Sequence, residues 1–140
     1  MKHSRTIVIL SLILGFIVES TIGQAGFPGI KVMVPFRFAI GRSAFSAGSY
    51  SIFSSRDKIW VQEPGGRNVA VLLTGALDGK ASEKGGRVIF DCYSDECFLS
   101  QVWISGQGVG RTVPKSKRQI ELASMDAGQQ FSLLGTKPKR

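Results

Sequence analysis

The chain has 140 residues, of which 20% are charged and 43% hydrophobic, and a net charge of +8. That suits one small globular domain and excludes both a multidomain enzyme and a wholly disordered chain. The presence of only one histidine and two cysteines narrows the available chemistry further.

Residues 1–25 have the three-part build of a secretory signal. Lys2 and Arg5 make a positive start, residues 6–18 are almost unbroken apolar sequence, and Gly23 and Ala25 put small residues where a signal peptidase reads them. The apolar run falls short of the ~20 residues of a membrane-crossing helix, and Glu19 closes it. We therefore expect cleavage after Ala25, export to the periplasm or the medium, and no transmembrane segment after processing. Processing would remove His3, the sole histidine. A histidine triad, a histidine base and a histidine-ligated zinc are then excluded.

The next segment, residues 30–40, alternates strictly. Ile30, Val32, Val34, Phe36, Phe38 and Ile40 share one face, opposite Lys31, Met33, Pro35, Arg37 and Ala39. This period of two predicts a strand with one buried face, and Pro35, which cannot donate to a ladder, places it at a sheet edge or a bulge. A turn over residues 42–47 leads into a strand at 48–54 with Tyr50 and Ile52 inward. A polar turn at 56–58 precedes a strand at 59–63. Pro64, Gly65 and Gly66 then turn the chain into a strand at 68–74. Residues 78–86 read as a loop, and residues 87–93 and 96–104 as two further strands joined at Ser94 and Asp95.

That short link predicts an antiparallel hairpin. With Ser94 and Asp95 as a two-residue turn, Tyr93 pairs with Glu96 and Cys92 falls directly opposite Cys97, within reach of a disulfide. Export favours that bond over a metal site. The register also sets Val88, Phe90 and Cys92 on one face with Cys97, Leu99 and Trp103.

Beyond Ile104 the pattern dissolves into glycine-rich sequence at 105–110, a flexible connection whose spacing is not that of a phosphate loop. Ser116, with Gln119 three residues on, marks a possible capped short helix ending near Gly128, although Lys117 and Arg118 in its first turn oppose the helix dipole. Residues 129–140 read as a basic, flexible tail with Phe131, Leu133 and Leu134 as its only apolar handles. The domain is thus expected over residues 26–128. The fold class is all-β: an antiparallel meander of about six strands closing as a small barrel or as a two-layer sandwich.

The runs Val34-Pro35-Phe36-Arg37-Phe38, Ala47-Gly48-Ser49-Tyr50, Phe98-Leu99-Ser100-Gln101-Val102-Trp103 and Pro114-Lys115-Ser116-Lys117-Arg118 resemble, in order and spacing, the motifs of small exported proteins common in acidobacterial genomes. The resemblance spans about residues 30–122 and implies an exported, all-β protein with no particular substrate. The chain departs from that pattern at Cys92 and Cys97.

Candidate contacts are few. Trp60, Trp103 and Tyr50 either line a pocket for an apolar or sugar ligand or fill the core. Trp60 is the more outward of them, because Ile59 and Val61 share the opposite face. Asp91, Asp95 and Glu96 gather at one hairpin tip but lack the enclosing ligands a cation needs. Lys115, Lys117, Arg118, Lys137, Lys139 and Arg140 concentrate positive charge near the end of the chain. They either solubilise it or contact anionic polymers and headgroups of the envelope. Stacking aromatics of the kind that accompany nucleic-acid binding are missing around them. The sequence thus predicts a non-catalytic envelope or secreted module without cofactor or metal. The alternatives are a small barrel carrying an apolar ligand, or an enzyme using carboxylates or a lysine.

Overall fold

The computed structural model describes residues 27–79 and 85–138. The expected signal over 1–25, Lys139, Arg140 and the middle of the loop expected at 78–86 lie outside the described residues. In chain order the elements are β1 (Gly29–Val34), β2 (Phe38–Ile40), β3 (Ser43–Phe45), β4 (Gly48–Ser55), β5 (Lys58–Gln62), β6 (Asn68–Leu73), β7 (Gly75–Asp78), β8 (Arg87–Tyr93), β9 (Glu96–Trp103), β10 (Val109–Thr112), α1 (Lys117–Met125) and β11 (Gln129–Leu134). The strands form two sheets, one ordered β1-β4-β5-β6 and the other β11-β8-β9-β10-β7. Beside β9, β10 pairs at Gln101 and Val102, while β2 lies parallel at Phe98 and carries β3 on its far side. No closed barrel forms among the described residues.

The alternation over residues 30–40 produces the expected burial: Ile30, Val32, Val34, Phe38 and Ile40 are buried, and Lys31, Met33, Pro35 and Arg37 are exposed. It does so on two strands rather than one. The ladder with β4 ends at Val34, and the chain crosses at Pro35 from the first sheet to the second. Apolar side chains from both sheets meet in one cluster. Ile30, Val32, Ile52, Ile59 and Val61 come from the first, and Val88, Phe90, Leu99 and Val102 from the second. Phe38 joins them edge-on to Tyr50 at 5.2 Å and to Phe90 at 5.3 Å between ring centres. Each large side chain so buried contributes roughly 1.5–3 kcal/mol.

Strand β7, absent from the sequence reading, continues β6 around a corner at Thr74. The buried Thr74 N–H and hydroxyl both donate to the Asp57 carbonyl, at 2.6 and 3.0 Å. The short helix does form, with Ser116 as its cap accepting from the Gln119 N–H at 3.2 Å, and it ends at Met125. It ties to the hairpin tip twice: the buried Gln119 amide donates to Asp91 at 3.4 Å, and Asp126 accepts from the Ser94 N–H at 3.2 Å.

The described residues form eleven strands rather than about six: β3 lies inside the turn expected at 42–47, β10 begins inside the connection expected at 105–110, and the parallel β2–β9 pair departs from an antiparallel meander. Two further expectations are corrected. Residues 129–134 are not a loose tail but strand β11, paired along its whole length with β8, and Thr136 bridges back to Lys31. Phe131 and Leu133 alternate so as to fall opposite Phe90 and Val88, and the free edge of β8 satisfies the strand's backbone. The domain therefore extends past residue 128. The second correction concerns Trp103. Pairs Tyr93↔Glu96 and Cys92↔Cys97 follow the expected register, but Phe90 pairs with Leu99 and Ile89 with Gln101, leaving Ser100 as an extra residue in β9. A bulge of this kind moves every later side chain to the opposite face. Val102 therefore joins the central cluster, and Trp103, though itself buried, lies outside it.

Candidate functional site

Cys92 and Cys97 form a disulfide, with α-carbons 4.0 Å apart. Cys92 belongs to the core cluster, and Cys97 lies on the way out of it. The aromatic candidates are not brought together. Tyr50 points into the core and its hydroxyl donates to the Ser46 carbonyl at 2.6 Å. Burial raises the phenol above its usual pKa of 10.0, and the charge of Glu63 adds to the shift. Trp60 stands on the opposite face of the first sheet, stacked on Phe53 at 5.7 Å and met edge-on by Phe27 at 5.0 Å. Trp103, on the second sheet, is buried but outside the central cluster. Its indole N–H donates to Gln101 at 2.9 Å, and the Arg87 guanidinium sits 5.6 Å from its ring centre. These aromatics anchor neighbouring chain rather than line a common pocket.

The basic candidates also separate. Lys115, Lys117 and Arg118 stand at the start of α1, whereas Lys137 follows the Thr136 bridge to β1. At the start of α1 an open cleft of about 710 Å³ lies between three elements. The β2–β3 hairpin supplies one wall through Arg37, Phe38, Ala39, Gly41, Arg42 and Ala44. The β8–β9 tip supplies Asp95, Glu96, Cys97 and Phe98, and the cap of α1 supplies Ser116, Lys117 and Arg118. What joins the first two walls is the parallel pair Ala39↔Phe98. Gly41, at a φ of 60°, makes the tight turn that leaves Arg42 at the cleft mouth.

The floor is apolar, with Phe38 and Phe98 buried beneath it. The lining carries four cations, Arg37, Arg42, Lys117 and Arg118, against two carboxylates, Asp95 and Glu96. Arg118 is engaged by Glu96 at 3.1 Å and by Glu121 at 3.9 Å. Arg37, Arg42 and Lys117 have no carboxylate within salt-bridge distance among the described residues. The first turn of α1 carries no acidic side chain, so Lys117 and Arg118 add to the positive end of the helix rather than cancel it. An anion entering the cleft would meet these cations above an apolar surface. Neither Arg37 nor Arg42 stands out in the sequence: Arg37 falls on the outward face of the alternation over 30–40, and Arg42 in the turn expected at 42–47. Only the non-local β2–β9 contact brings them to the helix start.

Among the described residues no histidine, cysteine and carboxylate side chains gather closely enough to hold a metal ion. No helix among them is long and apolar enough to cross a membrane. The chain matches no protein-family model, no curated protein and no solved structure.

Proposed function

We propose that this protein is an exported, non-catalytic binding module whose cleft holds an anionic amphiphile of the cell envelope, an acyl chain bearing a carboxylate or phosphate. The observation that carries this reading is the set Arg37, Arg42 and Lys117, free of carboxylate partners among the described residues, around a floor of Phe38, Ala39 and Phe98. Each cation near an anionic headgroup adds on the order of 1 kcal/mol, and each methylene withdrawn from water about 0.8 kcal/mol. A short acyl chain and one headgroup are thus enough for micromolar binding after the cost of association.

Export is supported by the leader-like residues 1–25, by the cystine and by the resemblance to exported acidobacterial proteins. A two-layer sandwich fits better than a hollow barrel, because the space between the sheets is taken by Phe90, Ile30, Ile59 and Leu99, all almost fully buried. A filled interior leaves the outer cleft as the place for a ligand, and argues against an internal carrier.

The test is calorimetric titration with laurate and dodecyl phosphate at submicellar concentration, beside dodecyl maltoside and dodecyltrimethylammonium. The anionic amphiphiles should bind and the neutral and cationic ones should not. Combined replacement Arg37→Ala, Arg42→Ala and Lys117→Ala should weaken binding at least about tenfold, since each charge is worth roughly 1 kcal/mol. Equal binding of all four amphiphiles would refute the reading.

A further inference from the structure

Where the filled core ends, an open cavity of about 540 Å³ is lined by residues of both sheets. The strand registers explain why polar side chains reach it. Arg111 pairs with Val102 on one side and with Ala76 on the other, and directly paired residues project from the same face of a sheet. Val102 belongs to the central cluster, so Arg111 and Ala76 face inward with it. On the first sheet Ser54 pairs with Ile59, another member of that cluster, and it too faces inward. These inward residues line the cavity together with Arg56 from the β4–β5 turn and Gln107 from the turn after β9, all but Ile59, which lies deeper.

An arginine on the inner face of a sheet is uncommon, because its charge resists burial. Thr74 takes up two N–H groups of Arg111 and so fixes the plane of the guanidinium, while Nη1 has no partner among the described residues. Neither Arg56 nor Arg111 has a carboxylate within salt-bridge distance among the described residues. Asp57 and Asp78 stand near the cavity in the chain, yet neither lines it, and the described lining contains no carboxylate. The volume exceeds what a lone inorganic anion fills and falls in the range of small-molecule sites, roughly 300–1,000 Å³.

We propose that this cavity is a second binding site, for a sugar that carries an oxyanion, such as a hexuronate or a hexose phosphate. The guanidiniums of Arg111 and Arg56 pair with the carboxylate or phosphate oxygens. The Ser54 hydroxyl and the Gln107 amide meet ring hydroxyls, and the buried Val102 and Ile104 lie under the apolar face of the ring. An acyl chain would leave that hydroxyl and amide unpaired, which is costly away from water. The two sites share β9 but lie at its opposite ends, Cys97 and Phe98 at one and Val102 at the other. This inference therefore does not rest on the amphiphile reading.

The test is an amide chemical-shift titration of isotopically labelled protein, expressed from the full sequence, with glucuronate and glucose-6-phosphate. Glucose, acetate and inorganic phosphate serve as comparisons. At least one anionic sugar should shift Ser55, Ala76 and Gln107 in a saturable way, about tenfold or more tightly than any of the three comparisons. Which of the two binds better tells a carboxylate source from a phosphate source. Arg56→Gly removes one guanidinium at a residue whose φ of 53° suits glycine. It should weaken binding about tenfold while thermal stability is unchanged or raised. Ala76→Leu, at an exposed position facing the cavity, should weaken it likewise with unchanged circular dichroism. The combined Arg37→Ala, Arg42→Ala and Lys117→Ala replacement should leave it unaltered. Equal affinity for glucose or a bare anion, no saturation by either anionic sugar, or wild-type binding by folded Arg56→Gly overturns the proposal.

Discussion

Arg111 grips the chain at Thr74 with both arms of its guanidinium: Nε donates to the threonine hydroxyl at 2.8 Å and Nη2 to its carbonyl at 2.9 Å. At Thr74 the chain leaves β6 in one sheet and enters β7 in the other, so this pair holds the sheets together along one side. Hydrogen bonds from a charged donor contribute about 1.5–3 kcal/mol each, less where solvent reaches them. Arg111→Ala should lower unfolding stability by about 1–3 kcal/mol in urea titrations. Arg111→Lys should recover only part of it, because an ammonium lacks the planar fork.

Packing around Trp103 gives a second test. A β-carbon on Gly110 would lie 2.7 Å from the indole ring, and one on Gly79 would meet the ring's far end at the same distance. The tryptophan is thus pressed against backbone that has no room for a side chain. Gly110→Ala should cost about 1–3 kcal/mol as an overpacking change and alter the tryptophan fluorescence. Gly108→Ala, with nothing within 4 Å of the added carbon, should be neutral or stabilise slightly.

Tyr50 predicts an alkaline limit. Burial, and then the charge of Glu63, raise its phenol above 10.0. The folded state disfavours the phenolate, so the contribution of Tyr50 is fully present below pH 10.0 and is lost as pH rises through the raised folded value. Tyr50→Phe forfeits the bond to Ser46, about 0.5–1.5 kcal/mol at neutral pH. The stability gap between wild type and variant should then narrow above pH 10.0, as read from urea midpoints across the range. A gap that widens there would contradict the sign of the shift.

The cystine sits at the boundary between core and cleft, and it closes a loop with a sequence separation of only 5. So short a loop contributes at most about 2 kcal/mol of chain entropy. Cys92→Ala with Cys97→Ala should leave the protein folded, with stability reduced by no more than about 2 kcal/mol. Because Cys97 lines the cleft, the same change should weaken amphiphile binding.

How far the sequence foretells this fold can be read from individual residues. The burial of Ile30, Val32, Val34, Phe38 and Ile40 was legible because alternation is a local signal. So was the facing of Cys92 and Cys97, which a two-residue turn dictates. Trp103 was misplaced because the extra residue Ser100 shifts the alternation. The three-residue step between the apolar Leu99 and Val102 was the available cue. Strand β11 escaped notice because Gln129 and Gln130 give it no strand-like start, and it forms only against the edge of β8. The cleft was legible in part. Lys117 and Arg118 stood out as a charge run, while Arg37 and Arg42 reach the same place through a pairing between strands nearly 60 residues apart.

The most direct test of the central claim locates the ligand. Amide chemical shifts of the isotopically labelled protein, followed during titration with submicellar dodecyl phosphate, should move in a saturable way at Ala39, Gly41, Ala44, Phe98 and Ser116. Those of Phe53 and Trp60, on the far sheet, should stay in place. Shifts confined to the face around Trp60, or none that saturate, would contradict the assignment of the cleft as the binding site.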